Sequence, residues 1–138
     1  MNQNNRNYFD RQVEWVLDRL PQKVLHILKE VPLHVEDQPS KHLMQELQMD
    51  DPEELCGYFC GAPYGESQNF LTMYFGLNTH PLLNSITIFR RGIVAESRNE
   101  WGKVCRNSLR QQIRITILHE LAHWHGMDEE EIIEIGYG

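Results

Sequence analysis

The 138-residue sequence predicts a single domain of the α+β class. Three observations support this class: long stretches with helical periodicity, short β-branched or alternating segments between them, and no regular alternation of the two kinds. Neither an internal repeat nor a linker-like change in composition divides the chain. We therefore expect residues 8–138 to form one domain, preceded by a polar N-terminal tail of residues 1–7.

The first part of the chain is expected to contain three helices and one strand. Apolar residues recur at helical spacing over residues 9–20, and Pro21 ends that pattern. A second, short helix should follow at residues 24–28, and the alternating segment 33–37 favours a half-buried strand. Residues 40–48 then predict a third, short helix.

The second part of the chain should contain two strands and the strongest helix. Residues 55–59 and Ser85–Phe89 favour strands, the latter because its β-branched residues alternate with others. The turn-rich residues 61–84 between them predict a long loop. From about Glu100 onward the pattern is helical, most strongly over residues 108–125, where an apolar ridge repeats every three or four residues. Gly126 stands where a glycine would end this helix.

Composition and charge restrict the possible functions. With 20 acidic and 13 basic residues the net charge is −7, which argues against binding nucleic acid or an anionic membrane through the overall field. No segment reaches the roughly 20 apolar residues of a membrane span, and no secretory signal is visible at the N-terminus. The three cysteines lack the spacing of a disulfide framework, so we expect free thiols and a cytoplasmic location.

Basic residues are concentrated in the first half of the predicted long helix. Arg106, Arg110 and Arg114 are spaced four residues apart and therefore share one face of the predicted helix. A solvated face is the usual interpretation of such a stripe. A docking surface for an acidic partner is the alternative.

Residues 119–123 read His-Glu-Leu-Ala-His, a metal-binding pattern inside the predicted long helix. Side chains four residues apart lie on one helix face, so His119 and His123 can hold the same zinc ion. Zinc lowers the pKa of a bound water toward 7, and Glu120 can accept the proton of that water as it attacks a carbonyl. The competing interpretation is that the two histidines merely share a helix face.

A third metal ligand is expected shortly after the predicted helix. If Gly126 ends the helix in a left-handed turn, the chain can bring Glu129 back toward the metal. Asp128 competes for this role, but it is also suited to cap a last short helix through its carboxylate. We therefore favour Glu129 over Asp128 and expect one zinc ion per chain.

The sequence resembles the small bacterial zincin-like metallopeptidases, whose pattern is His-Glu-x-x-His-x-x-Gly-x-x-Asp. The likeness is most specific over residues 117–129, and weaker matches occur upstream in the right order, for example at residues 55–61 and 86–90. This chain departs from the pattern in having Glu129 where the family commonly has aspartate.

The resemblance implies a minimal zincin-like fold, in which a small mixed sheet packs on helices with the active-site helix beneath it. It implies His119 and His123 as metal ligands, Glu120 as general base and position 129 as third ligand. The activity it implies is zinc-dependent hydrolysis of a peptide or protein substrate. The alternative is a zinc-binding protein with weak or no catalysis that serves as a binding or regulatory module.

The resemblance also implies a substrate-binding strand. In zincins an edge strand can pair with an extended peptide by adding it to the sheet. The strand to which this role would fall consists of Ile86, Thr87, Ile88 and Phe89.

Overall fold

The computed structural model describes residues 1–61 and 84–124. Its elements are, in chain order, α1 (Gln3–Leu17), α2 (Gln22–Leu28), β1 (Leu33–Glu36), α3 (Lys41–Glu46), a 3₁₀ helix (Pro52–Glu54), β2 (Gly57–Cys60), β3 (Ser85–Phe89), α4 (Arg90–Ser97) and α5 (Arg106–Trp124). This mixture of helices with one small sheet confirms the predicted α+β class. The expected loop between β2 and β3, the helix end at Gly126 and the last short helix fall outside the described residues.

α1 begins earlier than the sequence suggested, because the segment expected to be a polar tail is mostly helical from Gln3 onward. The side-chain oxygen of Asn2 caps this helix by accepting a hydrogen bond from the backbone N–H of Asn5 at 2.8 Å. Arg6 then ties the first turns to the sheet, with its Nη2 atom 2.6 Å from Oδ2 of Asp37. Neither the cap nor the long-range ion pair contributes to apolar periodicity, which is why the predicted start was late.

The sheet has the strand order β1-β3-β2, which puts β3 in the middle. β1 pairs with β3 in parallel and β2 pairs with it antiparallel. The expectation that the strand of Ile86, Thr87, Ile88 and Phe89 lies at an edge is therefore wrong. The physical reason is that this most apolar strand is covered best at the centre, where Ile86 and Ile88 have no exposed surface.

α5 packs against the sheet and against α1 and α4, and this packing fixes its orientation. Ile113 and Ile117 have no exposed surface, so their side of α5 faces the core. This packing also fixes which residues lie on the side of α5 that faces away from the core. The buried side chains of the core come from all these elements and include Phe9, Val13, Val16, Ile86, Ile88, Ile93, Leu109, Ile113, Ile117 and Leu121. None of the helices in the described part of the chain has the length and apolar content that crossing a bilayer requires.

α4 follows β3 directly and was not predicted from the sequence. Gly92 weakens the helical pattern of this segment, since glycine is a poor helix former. The packing of the helix nevertheless requires a glycine at this position, because a Cβ atom at Gly92 would lie 2.0 Å from the carbonyl oxygen of Leu55. The glycine that obscures the helix in the sequence is therefore what lets the helix pack against the chain leading into β2.

An ion-pair network joins α1 to the ends of the two parallel strands. Arg90, just after β3, donates to Asp10 through Nε and Nη2, both at 3.0 Å, and to Asp37 through Nη1 at 2.9 Å. Hydrogen bonding from Arg6 lowers the pKa of Asp37; burial opposes that shift, and hydrogen bonding from Arg90 adds to it. The network thus connects the N-terminal helix to the carboxyl ends of β1 and β3.

Candidate metal centre

α5 places two histidines side by side near its C-terminal end. The Nε2 atoms of His119 and His123 are 3.0 Å apart. The ring centroids are 4.6 Å apart, and the ring planes are inclined at 76°, so the rings meet edge to face rather than stacked. Both side chains are half-buried. The two nitrogens can therefore be directed at one common point.

The separation of these nitrogens fits a shared zinc ion. Two nitrogen ligands bound at 2.0–2.1 Å in tetrahedral geometry are roughly 3.3 Å apart. A small rotation of either side chain would increase the observed 3.0 Å to that value. Imidazole is also a ligand type that zinc binds readily, so both the chemistry and the geometry of His119 and His123 suit this metal.

The remaining ligands of such an ion are not assembled in the described part of the chain. Within residues 1–61 and 84–124, no group of three histidine, cysteine, aspartate or glutamate side chains comes together that could hold a metal ion. The candidates from the sequence, Glu129 and Asp128, lie outside the described residues. The choice between them stays a prediction.

Glu120 lies where α5 packs closely against β2 at Gly57. A Cβ atom built at Gly57 would be 3.2 Å from Cγ of Glu120 and 2.8 Å from Cγ2 of Thr116. The space beside Gly57 is therefore too small for a side chain, and the glycine lets Thr116 and Glu120 of α5 pack this close to the strand. Thr116, one turn before Glu120, is buried, and its hydroxyl donates to the carbonyl of Gln112 at 2.8 Å.

Cys56, the residue before β2, belongs to the same surroundings. Burial, together with the negative charges of Glu96 and Glu120, raises the pKa of its thiol to about 11. A thiol with this pKa is protonated at neutral pH, which fits a packing role beside Glu120. Cys56, Cys60 and Cys105 are all free, as the sequence predicted.

The structure thus brings together three of the residues singled out in the sequence: His119, Glu120 and His123, all on α5. It places the proposed substrate strand at the centre of the sheet rather than at an edge, and α5 packs against both β2 and β3. Sequence reasoning missed the role of Gly57. The available signal was a glycine at the start of a short strand, which often marks a close approach by another element.

Comparison with known proteins gives a match at the level of the family. The profile of the zincin-like metallopeptidases matches residues 28–138, which include the whole described sheet and all of α5. No curated protein matches the sequence significantly. The family match agrees with the α+β architecture and with the paired histidines of α5. Because the match spans most of its length, the chain belongs to the zincin-like metallopeptidase family.

Proposed function

We propose that this protein is a zinc-dependent peptidase in which His119 and His123 hold the metal and Glu120 is the general base. The observation that carries the proposal is the 3.0 Å approach of the two Nε2 atoms, with Glu120 on the same helix. Membership of the zincin-like metallopeptidase family supports peptide bonds as the substrate. A zinc ion, when bound, would supply a Lewis acid and lower the pKa of a bound water toward 7.

Glu120 would handle the proton of the reaction. Its carboxylate would accept a proton from the attacking water and hold it on one oxygen atom before giving it to the nitrogen of the leaving amine. General base catalysis of this kind requires a carboxylate held in one position. The close packing of Glu120 beside Gly57, where an added Cβ atom would lie 3.2 Å from Cγ of Glu120, supports such a restraint.

A third ligand would come from Glu129, with Asp128 as the alternative. The variants Glu129→Ala and Asp128→Ala distinguish the two when each is titrated with a zinc chelator. We expect Glu129→Ala to release zinc at the lower chelator concentration. The reverse order would reassign the ligand to Asp128.

An extended substrate would add to β2 rather than to β3. β2 pairs with only one neighbour among the described strands, and that pairing is antiparallel. Its first residue, Gly57, lies against Glu120, so a peptide hydrogen-bonded along β2 would pass close to the base. β3 is paired on both sides and offers no free backbone groups for this purpose.

The experiment that tests the proposed function is cleavage of a peptide library followed by mass spectrometry. We expect the zinc-loaded wild type to cleave a subset of peptides, and Glu120→Gln to reduce the rate by about 100-fold or more. Glu14→Gln, which makes the same charge change at an exposed position of α1, is the matched control and should leave the rate unchanged.

Two outcomes would contradict the proposal. Cleavage by Glu120→Gln at the wild-type rate would remove Glu120 as the base. Full zinc binding without cleavage of any peptide would favour the alternative of a zinc-binding module without catalysis.

A further inference from the structure

A second surface lies on the far side of α5 from the two histidines. Successive residues of an α-helix are about 100° apart around its axis, so Arg110 lies roughly half a turn away from His119. There α1 and α5 border an open groove of about 280 Å³, lined in part by Trp15, Val16, Arg19 and Arg110. The groove is therefore separate from the candidate metal centre.

Trp15 lies between two guanidinium groups in this groove. The guanidinium carbons of Arg19 and Arg110 are 3.7 Å and 3.8 Å from the centre of the Trp15 ring. Two guanidinium groups this close to one ring centre cannot share a face without overlapping. They therefore stack on opposite faces, with their central carbons roughly 7 Å apart.

Both guanidinium groups are held in place by neutral acceptors. Nη1 of Arg19 donates to the backbone carbonyl of Trp15 at 3.0 Å, and Nε of Arg110 donates to Oε1 of the buried Gln12 at 2.8 Å. Among the ion pairs formed by the described residues, none joins Arg19 or Arg110 to a carboxylate. The groove thus presents two positioned cations whose charge is not neutralised by described residues.

The positive charge of this groove extends along α5. Burial lowers the pKa of Arg110, and the positive charges of Arg106 and Arg19 lower it further. The effect on Arg110 agrees with the position of Arg19 and Arg110 on the same indole ring, because like charges held close together repel one another. An anionic ligand bound in the groove beside these cations would relieve that repulsion, since a nearby opposite charge stabilises the charged form of each group.

We propose that the groove binds an acidic peptide segment of another protein in an extended conformation. Residues i and i+2 of an extended chain lie on the same side and roughly 6.6–6.8 Å apart, close to the separation of the two guanidinium groups. Carboxylates at alternate positions can therefore each pair with one arginine, in the geometry that guanidinium groups favour. A short peptide meets only the groove, whereas a long polyanion would also meet the net charge of −7.

The test is a titration of labelled peptides followed by fluorescence anisotropy. The probe is a fluorescein-labelled peptide with two glutamates separated by one valine. The comparison peptides have the same two glutamates adjacent to each other, or glutamines in place of both. We expect the alternating peptide to bind at least tenfold more tightly than the glutamine peptide, and more tightly than the adjacent arrangement.

Protein variants identify the groove as the binding site. The double variant Arg19→Gln/Arg110→Gln should weaken binding at least tenfold. Arg19→Gln alone should weaken it several-fold. This variant leaves Arg110 in place, so the hydrogen bond from Arg110 to the buried Gln12 is kept. Arg98→Gln is the matched control: it makes the same charge change at an exposed position at the end of α4 and should alter binding by less than twofold.

Several results would overturn the proposal. These are equal binding of the glutamine peptide, unchanged binding by the double variant, or no binding to the wild type at millimolar peptide. Tighter binding of a labelled single-stranded oligonucleotide that depends on the same arginines would assign the groove to nucleic acid. Self-association of the wild type that Arg19→Gln abolishes, measured by sedimentation velocity, would assign it to a second copy of this chain.

Discussion

The substitution Gly57→Ala tests how the helix that carries the candidate site packs on β2. The new Cβ atom would lie 2.8 Å from Cγ2 of Thr116, 3.2 Å from Cγ of Glu120 and 3.5 Å from the carbonyl oxygen of Thr87. Carbon atoms in contact are normally about 3.5–4.0 Å apart, so the first distance requires a shift of helix or strand. Gly57 does not have a positive φ, so its backbone conformation itself accepts alanine.

The expected magnitude follows from two opposing effects. Overpacking a buried contact costs about 1–3 kcal/mol. Replacing glycine within a strand offsets about 0.5–1 kcal/mol of this, because the unfolded chain loses conformational freedom. With both effects at the middle of their ranges, we expect Gly57→Ala to lower the free energy of unfolding by about 1 kcal/mol, measured by urea unfolding monitored by circular dichroism.

A second substitution shows whether the contact with Thr116 is responsible. Thr116→Ser removes the methyl group that Cβ would meet and keeps the hydroxyl that donates to Gln112. Alone, it should cost about 1 kcal/mol for one buried methyl group. The double variant with Gly57→Ala should be more stable than the sum of the single effects by about 0.5–1 kcal/mol, because the closest overlap no longer occurs.

The result that would refute this reasoning is a Gly57→Ala variant as stable as the wild type, or single effects that add without coupling.

A functional measurement accompanies the stability data. Since Glu120 is the second closest neighbour of the new Cβ atom, peptide cleavage should fall in Gly57→Ala under conditions where the variant is fully folded. Zinc content should stay unchanged, because none of the three atoms nearest to the new Cβ belongs to His119 or His123.

Three further predictions concern stability, pH and thiol reactivity. Gly92→Ala places a Cβ atom 2.0 Å from a backbone oxygen, so we expect a loss of more than about 3 kcal/mol in a thermal melt; a wild-type midpoint would contradict this. Hydrogen bonding from Arg6 lowers the folded-state pKa of Asp37, so its stabilisation is present above the unfolded pKa of about 4 and is lost as pH falls through the folded pKa. Asp37→Asn should therefore cost about 1 kcal/mol at pH 7 and progressively less toward pH 3 in urea unfolding, whereas a constant difference would exclude Asp37 as the titrating group. Hydrogen bonding at the start of α5 lowers the pKa of Cys105, and burial raises that of Cys56 to about 11, so iodoacetamide at pH 8 should modify Cys105 first; peptide mapping that finds Cys56 modified first would refute this order.

The local part of the candidate site could be predicted from the sequence. The apolar ridge through Ile113 and Ile117 predicted the helix, and the spacing of four residues predicted that His119 and His123 share a face. The 3.0 Å between their Nε2 atoms follows from this local geometry. Residues near in sequence and on one helix are placed by the helix itself, so few other contacts are needed to predict them.

The arrangement of the sheet could not be predicted in the same way. Ser85–Phe89 was correctly predicted as a strand, but its central position depends on pairing with β1, more than fifty residues earlier, and with β2. Local alternation carries no information on which strands pair. The close approach at Gly57 depends on the same long-range arrangement, and so does the packing of Gly92 that hid α4.

The binding of one zinc ion by the histidines of α5 is the claim on which the proposed function depends most directly. Metal content measured by inductively coupled plasma mass spectrometry on tag-free protein tests it, with wild type, Glu120→Gln and His123→Ala prepared side by side. We expect about one zinc ion per chain in the wild type and in Glu120→Gln, and almost none in His123→Ala. Wild-type protein without zinc after incubation with the metal, or His123→Ala with a full zinc ion, would contradict the assignment.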